Sequence, residues 1–224
     1  ALAAKRIERV ETVFWLEDFD KVFFDLMTEA ETVYFNTNEH YRQAVETQTR
    51  EARFIKWCKE KYPAHKAAKS NPILQRIRGV KEPEEIQLMR IACGITEKGF
   101  RRVLEFVKPG VWEYEIEAEY LHEFIRNRSG GFAYTPIIAS GNNANVLHYI
   151  ENNHECKSGE LLLMDFGAEY GNYAADCSRT IPVSGNFTSR QHELYEACLS
   201  VFKYARSLMI PGTSINEMHK KVGQ

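Results

Sequence analysis

The stretch Leu161-Leu162-Leu163-Met164-Asp165-Phe166-Gly167, followed after a turn by Tyr173-Ala174-Ala175-Asp176-Cys177-Ser178-Arg179-Thr180, decides the reading of this chain. Four apolar residues in a row are the pattern of a strand buried on both faces, where a carboxylate is poorly accommodated. Asp165 nevertheless ends the run, and Asp176 follows in a second β-rich stretch. Between them Glu169-Tyr170-Gly171-Asn172 supplies turn residues. A two-residue loop at Tyr170-Gly171 pairs Glu169 with Asn172 and, counted outward, Asp165 with Asp176. A loop at Gly171-Asn172 puts Asp165 opposite Ser178 instead. In the first register the two Cβ atoms stand about 4.5–5.5 Å apart on one face. Two charges at that distance repel by roughly 3–4 kcal/mol at an effective dielectric near 20. Such a pair calls for a cation between the groups or a shared proton; the plain alternative is two Asp in ordinary turn or cap positions.

At 224 residues the chain is long enough for one large domain or two small ones. A net charge of −2, with no Lys/Arg block interleaved with aromatics, excludes a general nucleic-acid binder. The cysteines are odd in number and scattered, at 58, 93, 156, 177 and 198, without a C-x-x-C pair. That usage fits free thiols in a reducing compartment. No apolar run approaches a membrane span and no signal peptide opens the chain, so the expected address is the cytoplasm, with no membrane partner. Because the chain opens at Ala1 without Met, its true N-terminus is expected upstream.

Residues 1–78 form the first expected domain and residues 79–224 the second. In the first, 21–27, 32–36 and 73–78 read as strands, being short β-rich runs bounded by polar turns. Residues 39–61 read as a helix with Val45, Ala52, Ile55 and Trp57 on an irregular apolar face, stopped at Tyr62-Pro63. His40 and His65 read as surface histidines. In the second domain, Pro83 followed by Glu84 and Glu85 marks a helix start, because the positive dipole end favours carboxylates. That helix is expected over 83–107, with Ile86, Met89, Cys93, Phe100, Val103 and Val107 on one face, widened by Ile91 and Ile95. Lys108-Pro109-Gly110 ends it. A second helix, over 113–127, buries Ile116, Tyr120, Leu121 and Phe124. Residues 132–139 read as a strand and 140–145 as a loop, leading into Val146-Leu147-His148-Tyr149. Taken alone, His148 reads as a histidine packed at a strand end with its nitrogens satisfied. Thr188-Ser189-Arg190-Gln191 is a capping-box start for a helix to about residue 209, and Ser214-Ile215-Asn216-Glu217 begins another.

Asp-Phe-Gly followed by Tyr173-x-x-Asp176-x-Ser178-Arg179-Thr180 resembles the metal-binding hairpin of the pita-bread metallopeptidases. That family includes aminopeptidase P, prolidase and methionine aminopeptidase, besides metal-free relatives such as creatinase. Ser178 stands where Thr is commoner and keeps the hydroxyl. The Lys81-x-Pro83-x-Glu85-Ile86 opening, Lys108-Pro109-Gly110 and the Leu147-His148-Tyr149 segment are similar to the family as well, and from about Arg78 the order of segments follows it. The resemblance implies an α+β chain: a pita-bread (creatinase/aminopeptidase-like) catalytic domain, apparently truncated, preceded by part of an α/β N-terminal domain. Residues 1–78 would be the C-terminal part of a creatinase-type N-terminal domain, and 79–224 the first half of the pita-bread domain.

The same resemblance implies that Asp165 and Asp176 are ligands of a centre of two divalent ions, Asp165 on one and Asp176 bridging both. Mixed oxygen and nitrogen ligation suits Mn²⁺ first, with Co²⁺ or Zn²⁺ as alternatives. His148 faces the substrate in the family and is no metal ligand; there it would donate to a developing oxyanion or hold the substrate carbonyl. One His and two Glu complete the family's centre well beyond Asp176. His192, Glu193, Glu196, Glu217 and His219 resemble ordinary helix residues, so the chain is expected to be a fragment. The Leu-His-Tyr segment and the extra N-terminal domain are most similar to aminopeptidase P. That implies metal-dependent release of the N-terminal residue from a peptide substrate with proline second, by a homo-oligomer. A prolidase-type dipeptidase is the near alternative. A metal-free binding or scaffold relative is the other, and retention of both Asp argues against it.

Overall fold

The computed structural model describes residues 12–37 and 48–224, and the chain divides into two compact units, Ala1–Lys81 and Glu82–Gln224. In the first unit α1 (Phe19–Glu29), β1 (Thr32–Phe35), α2 (Arg50–Lys61), β2 (Lys66–Lys69) and α3 (Asn71–Gly79) follow in order. β1 and β2 pair in parallel, Thr32 opposite Lys66, a pairing that needs a crossover between the strands. The strand expected over 32–36 is present; those expected over 21–27 and 73–78 are helices. Within α1 the apolar spacing is helical, since Phe19, Phe23 and Met27 recur every four residues. Phe19 stacks on Phe23 with ring centres 5.4 Å apart, and Phe23 meets Trp57 at 5.9 Å, around buried Met27, Phe35 and Cys58. In α3, Pro72 occupies the first turn, where its fixed φ favours a helix over a strand. Of the helix expected over 39–61, Arg50–Lys61 is found, capped by the Thr49 side chain, which accepts from the Ala52 N–H. Its earlier part and His40 lie outside the described residues. His65 is half-buried rather than on the surface, with Nε2 2.8 Å from the Met27 carbonyl oxygen.

The second unit packs α4 (Pro83–Phe106) and α5 (Glu113–Arg126) on a β layer. Pro83 sits in the first turn of α4, and the Glu85 side chain accepts from the Glu82 N–H at 2.7 Å. The core face of α4 is turned from the expected one. Ala92, Ile95, Thr96, Gly99 and Val103 are buried, whereas Ile86, Met89 and Cys93 are exposed. From α5, Ile116, Tyr120 and Phe124 enter the core and Leu121 does not. The Tyr120 ring lies 4.3 Å from Phe166, centre to centre.

The β layer holds two three-stranded sheets. β3 (Gly131–Phe132), β6 (Ala168–Tyr170) and β7 (Tyr173–Ala174) form one, in the order β3-β6-β7. β4 (Ile137–Ser140), β5 (Leu161–Phe166) and β8 (Cys177–Pro182) form the other, in the order β4-β5-β8. The single strand expected over 132–139 is therefore two, because the chain changes sheets at residues 133–136. Pro136, with no N–H for a ladder, lies in that crossing. The loop expected over 140–145 contains a 3₁₀ turn, Gly141–Asn145.

Phe166 opposite Cys177 and Glu169 opposite Ala174 belong to one continuous register, so β5 through β8 is a single interrupted hairpin. Its loop is Gly171-Asn172, with φ of 57° and 66°, the left-handed pair of a type I′ turn. The alternative loop would force the bulky Tyr170 into that region, where its Cβ clashes with the backbone. Asp165 accordingly faces Ser178, and the directly opposed Asp165–Asp176 pair is corrected. At the interruption, a Cβ on Gly167 would collide with the Ala175 carbonyl oxygen.

The alternation along β5 also corrects the expectation of burial on both faces: Leu162, Met164 and Phe166 are buried, while Leu161, Leu163 and Asp165 are half-exposed. Beyond that second face stands α6 (Ser189–Ser207), opened by the expected capping box of Thr188 and Gln191. Leu161, Leu163, Thr180, Leu194 and Phe202 line an apolar hollow of about 390 Å³ between them. α7 (Ile215–Val222) likewise starts from a capping box, Ser214 with Glu217. Among the described residues no helix is long and apolar enough to cross a membrane.

Two substitutions check this hairpin in the full-length protein by urea unfolding. Gly167→Ala is expected to cost about 3 kcal/mol by overpacking against the Ala175 carbonyl. Asn172→Val should cost about 1–3 kcal/mol at its left-handed φ, and Asn172→Gly at most about 0.5 kcal/mol.

Candidate metal centre

Asp165 and Asp176 meet although they are not opposite one another. Asp165 faces Ser178, and Asp176 lies two residues before Ser178, in the break between β7 and β8. The two Asp are thus diagonal rather than directly opposed, and both turn to the side where Tyr134 stands. Their carboxylates lean together onto a third residue. The Tyr134 hydroxyl donates to Asp165 Oδ1 at 2.7 Å and lies 3.1 Å from Asp176 Oδ1. The two carboxylate oxygens therefore cannot be farther apart than the sum of those two distances. One phenol hydrogen serves both acceptors and offsets part of their repulsion without neutralising either. Burial, and then the two carboxylates, push the Tyr134 phenol well above its ordinary pKa.

Tyr134 is hidden in the sequence, because residues 132–139 read as one strand. It stands in the crossing between the sheets, where period-two counting of faces does not apply. A Tyr just before Thr135-Pro136 is a weak signal by itself, and only the fold gives it two acidic partners.

A separate hollow of about 450 Å³ opens here, lined by Tyr134, Asp165 and Asp176 together with Thr135, Ile137, His148 and Ile150. His148 is exposed and sits in a loop, not packed at a strand end. Its φ of 54° is left-handed, a conformation in which His is over-represented among non-glycine residues.

Two hard carboxylate oxygens drawn to one point suit a hard divalent cation, though such ions seek about six partners. Among the described residues no group of three His, Cys, Asp or Glu side chains is arranged to hold a metal. Of these residues on the last two helices, His192, Glu193, Glu196 and Glu217 have local partners, and His219 is exposed. His192 Nε2 lies 4.0 Å from Glu196, Glu193 pairs with Arg190 at 3.1 Å, and Glu217 accepts from the Ser214 N–H at 2.9 Å. The donor set present here therefore fits part of a divalent-metal site: two carboxylates with a histidine at the rim.

Comparison with known proteins gives this geometry a context. The family description "Metallopeptidase family M24" matches residues 87–224. The Xaa-Pro aminopeptidase of Haemophilus influenzae is 42% identical over 151 residues, which cover 67% of this chain and 35% of that protein. Among solved structures, the low-pH form of aminopeptidase P from Escherichia coli superposes with a TM-score of 0.87 at 32% identity, over 98% of this chain and 50% of that one. The zinc-substituted E. coli aminopeptidase P in complex with product superposes with a TM-score of 0.84 at 32% identity, over 95% of this chain and 49% of that one. The chain thus spans about a third of the length of the curated relative and about half of each solved structure. Its mixed helices and sheets follow the pita-bread fold of aminopeptidase P, and the chain belongs to metallopeptidase family M24.

Proposed function

We propose that the full-length protein is a metal-dependent aminopeptidase that releases the N-terminal residue from peptides with proline in second position. The observation that carries this reading is the convergence of Asp165, Asp176 and His148 on one hollow in a chain similar to Xaa-Pro aminopeptidases. Asp165 and Asp176 would hold two divalent ions, Mn²⁺ in preference to Co²⁺ or Zn²⁺. Such ions, when bound, lower the pKa of a coordinated water and polarise a carbonyl.

The chain's own residues do the rest. Tyr134 holds both carboxylates by one hydroxyl, which keeps them aimed at a common point before any cation arrives. His148, at the rim, has an imidazole N–H to donate to the scissile carbonyl oxygen as negative charge develops on it. Ile137 and Ile150 give the hollow apolar walls, which suit a pyrrolidine ring and lose nothing when it displaces water. Residues 1–78 would be the C-terminal part of a creatinase-type domain. The five unpaired cysteines support a reducing, cytoplasmic setting.

Full-length protein is expected to cleave an Xaa-Pro peptide at least about tenfold faster than its Xaa-Ala counterpart, since contact groups in a fitted pocket are worth about 1–3 kcal/mol. Exhaustive chelation should abolish turnover. Equal rates on the two peptides, or activity that survives chelation, would count against the proposal; activity confined to dipeptides would point to a prolidase.

His148→Ala should lower kcat by about 10²–10³, the usual cost of removing one oxyanion donor, with bound metal nearly unchanged by elemental analysis. Asp176→Ala should lose both metal and activity. A His148→Ala protein that purifies without metal would reverse the assignment of roles.

A further inference from the structure

Glu113 is the first residue of α5, where an acidic side chain ordinarily sits in water beside the helix N-terminus. Here it is fully buried. Its Oε1 accepts from the Ser140 N–H at 2.7 Å, the Ser140 hydroxyl at 2.8 Å and Asn143 Nδ2 at 3.3 Å. Its Oε2 accepts from the Tyr149 hydroxyl at 2.7 Å and the His154 N–H at 3.0 Å. A buried carboxylate is costly unless donors surround it, and five do. The two oxygens hold different things. Oε1 grips the end of β4 and the 3₁₀ turn, while Oε2 grips both ends of segment 149–154.

His148 adjoins that segment, within a stretch from Val146 to His154 that has no regular secondary structure. A second buried side chain, Asn152, pins its middle. Asn152 Oδ1 accepts from the Ile138 N–H at 2.9 Å, and Nδ2 donates to the Pro136 carbonyl at 3.1 Å and to Glu117 at 2.8 Å. The backbone fixes only the ends of this stretch, by the Val146 N–H on the Asn143 carbonyl and the Glu113 N–H on the His154 carbonyl, each at 2.9 Å; between them the Glu113 and Asn152 side chains hold its course, and with it the left-handed φ of His148.

We infer that Glu113 is the positioning residue of His148: through Oε2 it anchors Tyr149 and His154, and so fixes where the His148 imidazole stands relative to Asp165 and Asp176. The inference rests on the substrate-side role proposed above for His148.

Glu113→Gln separates the two halves of the carboxylate. An amide nitrogen cannot face the Ser140 N–H and Asn143 Nδ2, both of them donors, so it turns toward Tyr149 and His154. The Tyr149 hydroxyl, which already accepts from Asn143 Nδ2 and the Asn153 N–H, can no longer donate to residue 113 and keeps only Asn153 Oδ1, at 3.3 Å, as an acceptor; the His154 N–H loses its acceptor. The substitution keeps the tie to β4 and loosens the tie to the His148 segment.

The test places Glu113→Gln in the full-length protein, alone and combined with His148→Ala, with an Xaa-Pro peptide as substrate. Alone it should lower kcat about tenfold by misplacing a catalytic group, with metal content and Tm close to native. Amide hydrogen exchange should quicken over residues 146–154 and stay native over 161–166. In the His148→Ala background the same substitution should change kcat less than about twofold, because the two act through one group. An equal fall in both backgrounds, unchanged kcat, or native exchange over 146–154 overturns the inference. If His148→Ala alone leaves kcat unchanged, the proposed role of His148 fails, and the exchange pattern by itself decides whether Glu113 holds the segment. Should Glu113→Gln not fold, Tyr149→Phe removes one bond to Oε2 and is held to the same expected and overturning results.

Discussion

Between the Cα of Gly167 and the carbonyl oxygen of Ala175 there is no room for a side chain, and the geometry of the acidic pair depends on that close approach. It lets β5 and β6 run on as one arm against β7 and β8 without losing register. At the far end the left-handed Gly171-Asn172 loop sets the same count. Moving the loop by one position, to Tyr170-Gly171, would change every pairing by two residues. A two-residue shift leaves each side chain on its own face, whereas a shift of one would turn it over. For that reason Asp165 and Asp176 share a face in either register, and only their relation changes, from directly opposed to diagonal.

The hairpin also keeps stability and chemistry on separate sides. Leu162, Met164 and Phe166 face the helices and are fully buried, with the Tyr120 ring close against Phe166. Asp165 alternates with them and emerges on the other side beside Tyr134. A strand of period two can place a carboxylate one residue from a fully buried aromatic without desolvating the acid as deeply. The diagonal arrangement has its own effect on charge. It spares the two Asp a directly opposed pairing, yet leaves them near enough for one hydroxyl to reach both carboxylates.

Much of this fold was legible in the sequence where an element carries its own start signal. α4, α6 and α7 open on Pro83, Thr188 and Ser214, each with an acidic residue or Gln at the third position, and all three are helices. In the first unit residue type and residue spacing disagree, and spacing prevails. Phe23 and Val22 favour strands by type, but Phe19, Phe23 and Met27 are spaced for a helix, and Pro72 marks the start of another. At the site, Asp165 and Asp176 were visible because an acid ending an apolar run is locally anomalous. His148 was legible only through resemblance. Tyr134 and Glu113 were not legible at all: their partners lie 31 and 42 residues away for the first and 27 to 41 for the second. Contacts of that range follow from the packing of sheets and helices, which no local pattern records.

That difference in range bears on how the site assembles as the chain folds. The two acids lie on arms joined by a two-residue turn, so they can be brought together by a hairpin that closes on its own in microseconds. The Glu113 contact with His154 closes a loop of 41 residues, about 1 kcal/mol dearer in chain entropy than the hairpin, and it exists only once α5 has docked beside β4. The acidic pair is thus a product of local sequence, and the histidine beside it a product of the finished tertiary structure. A partly folded chain would carry the carboxylates together while the imidazole still wandered.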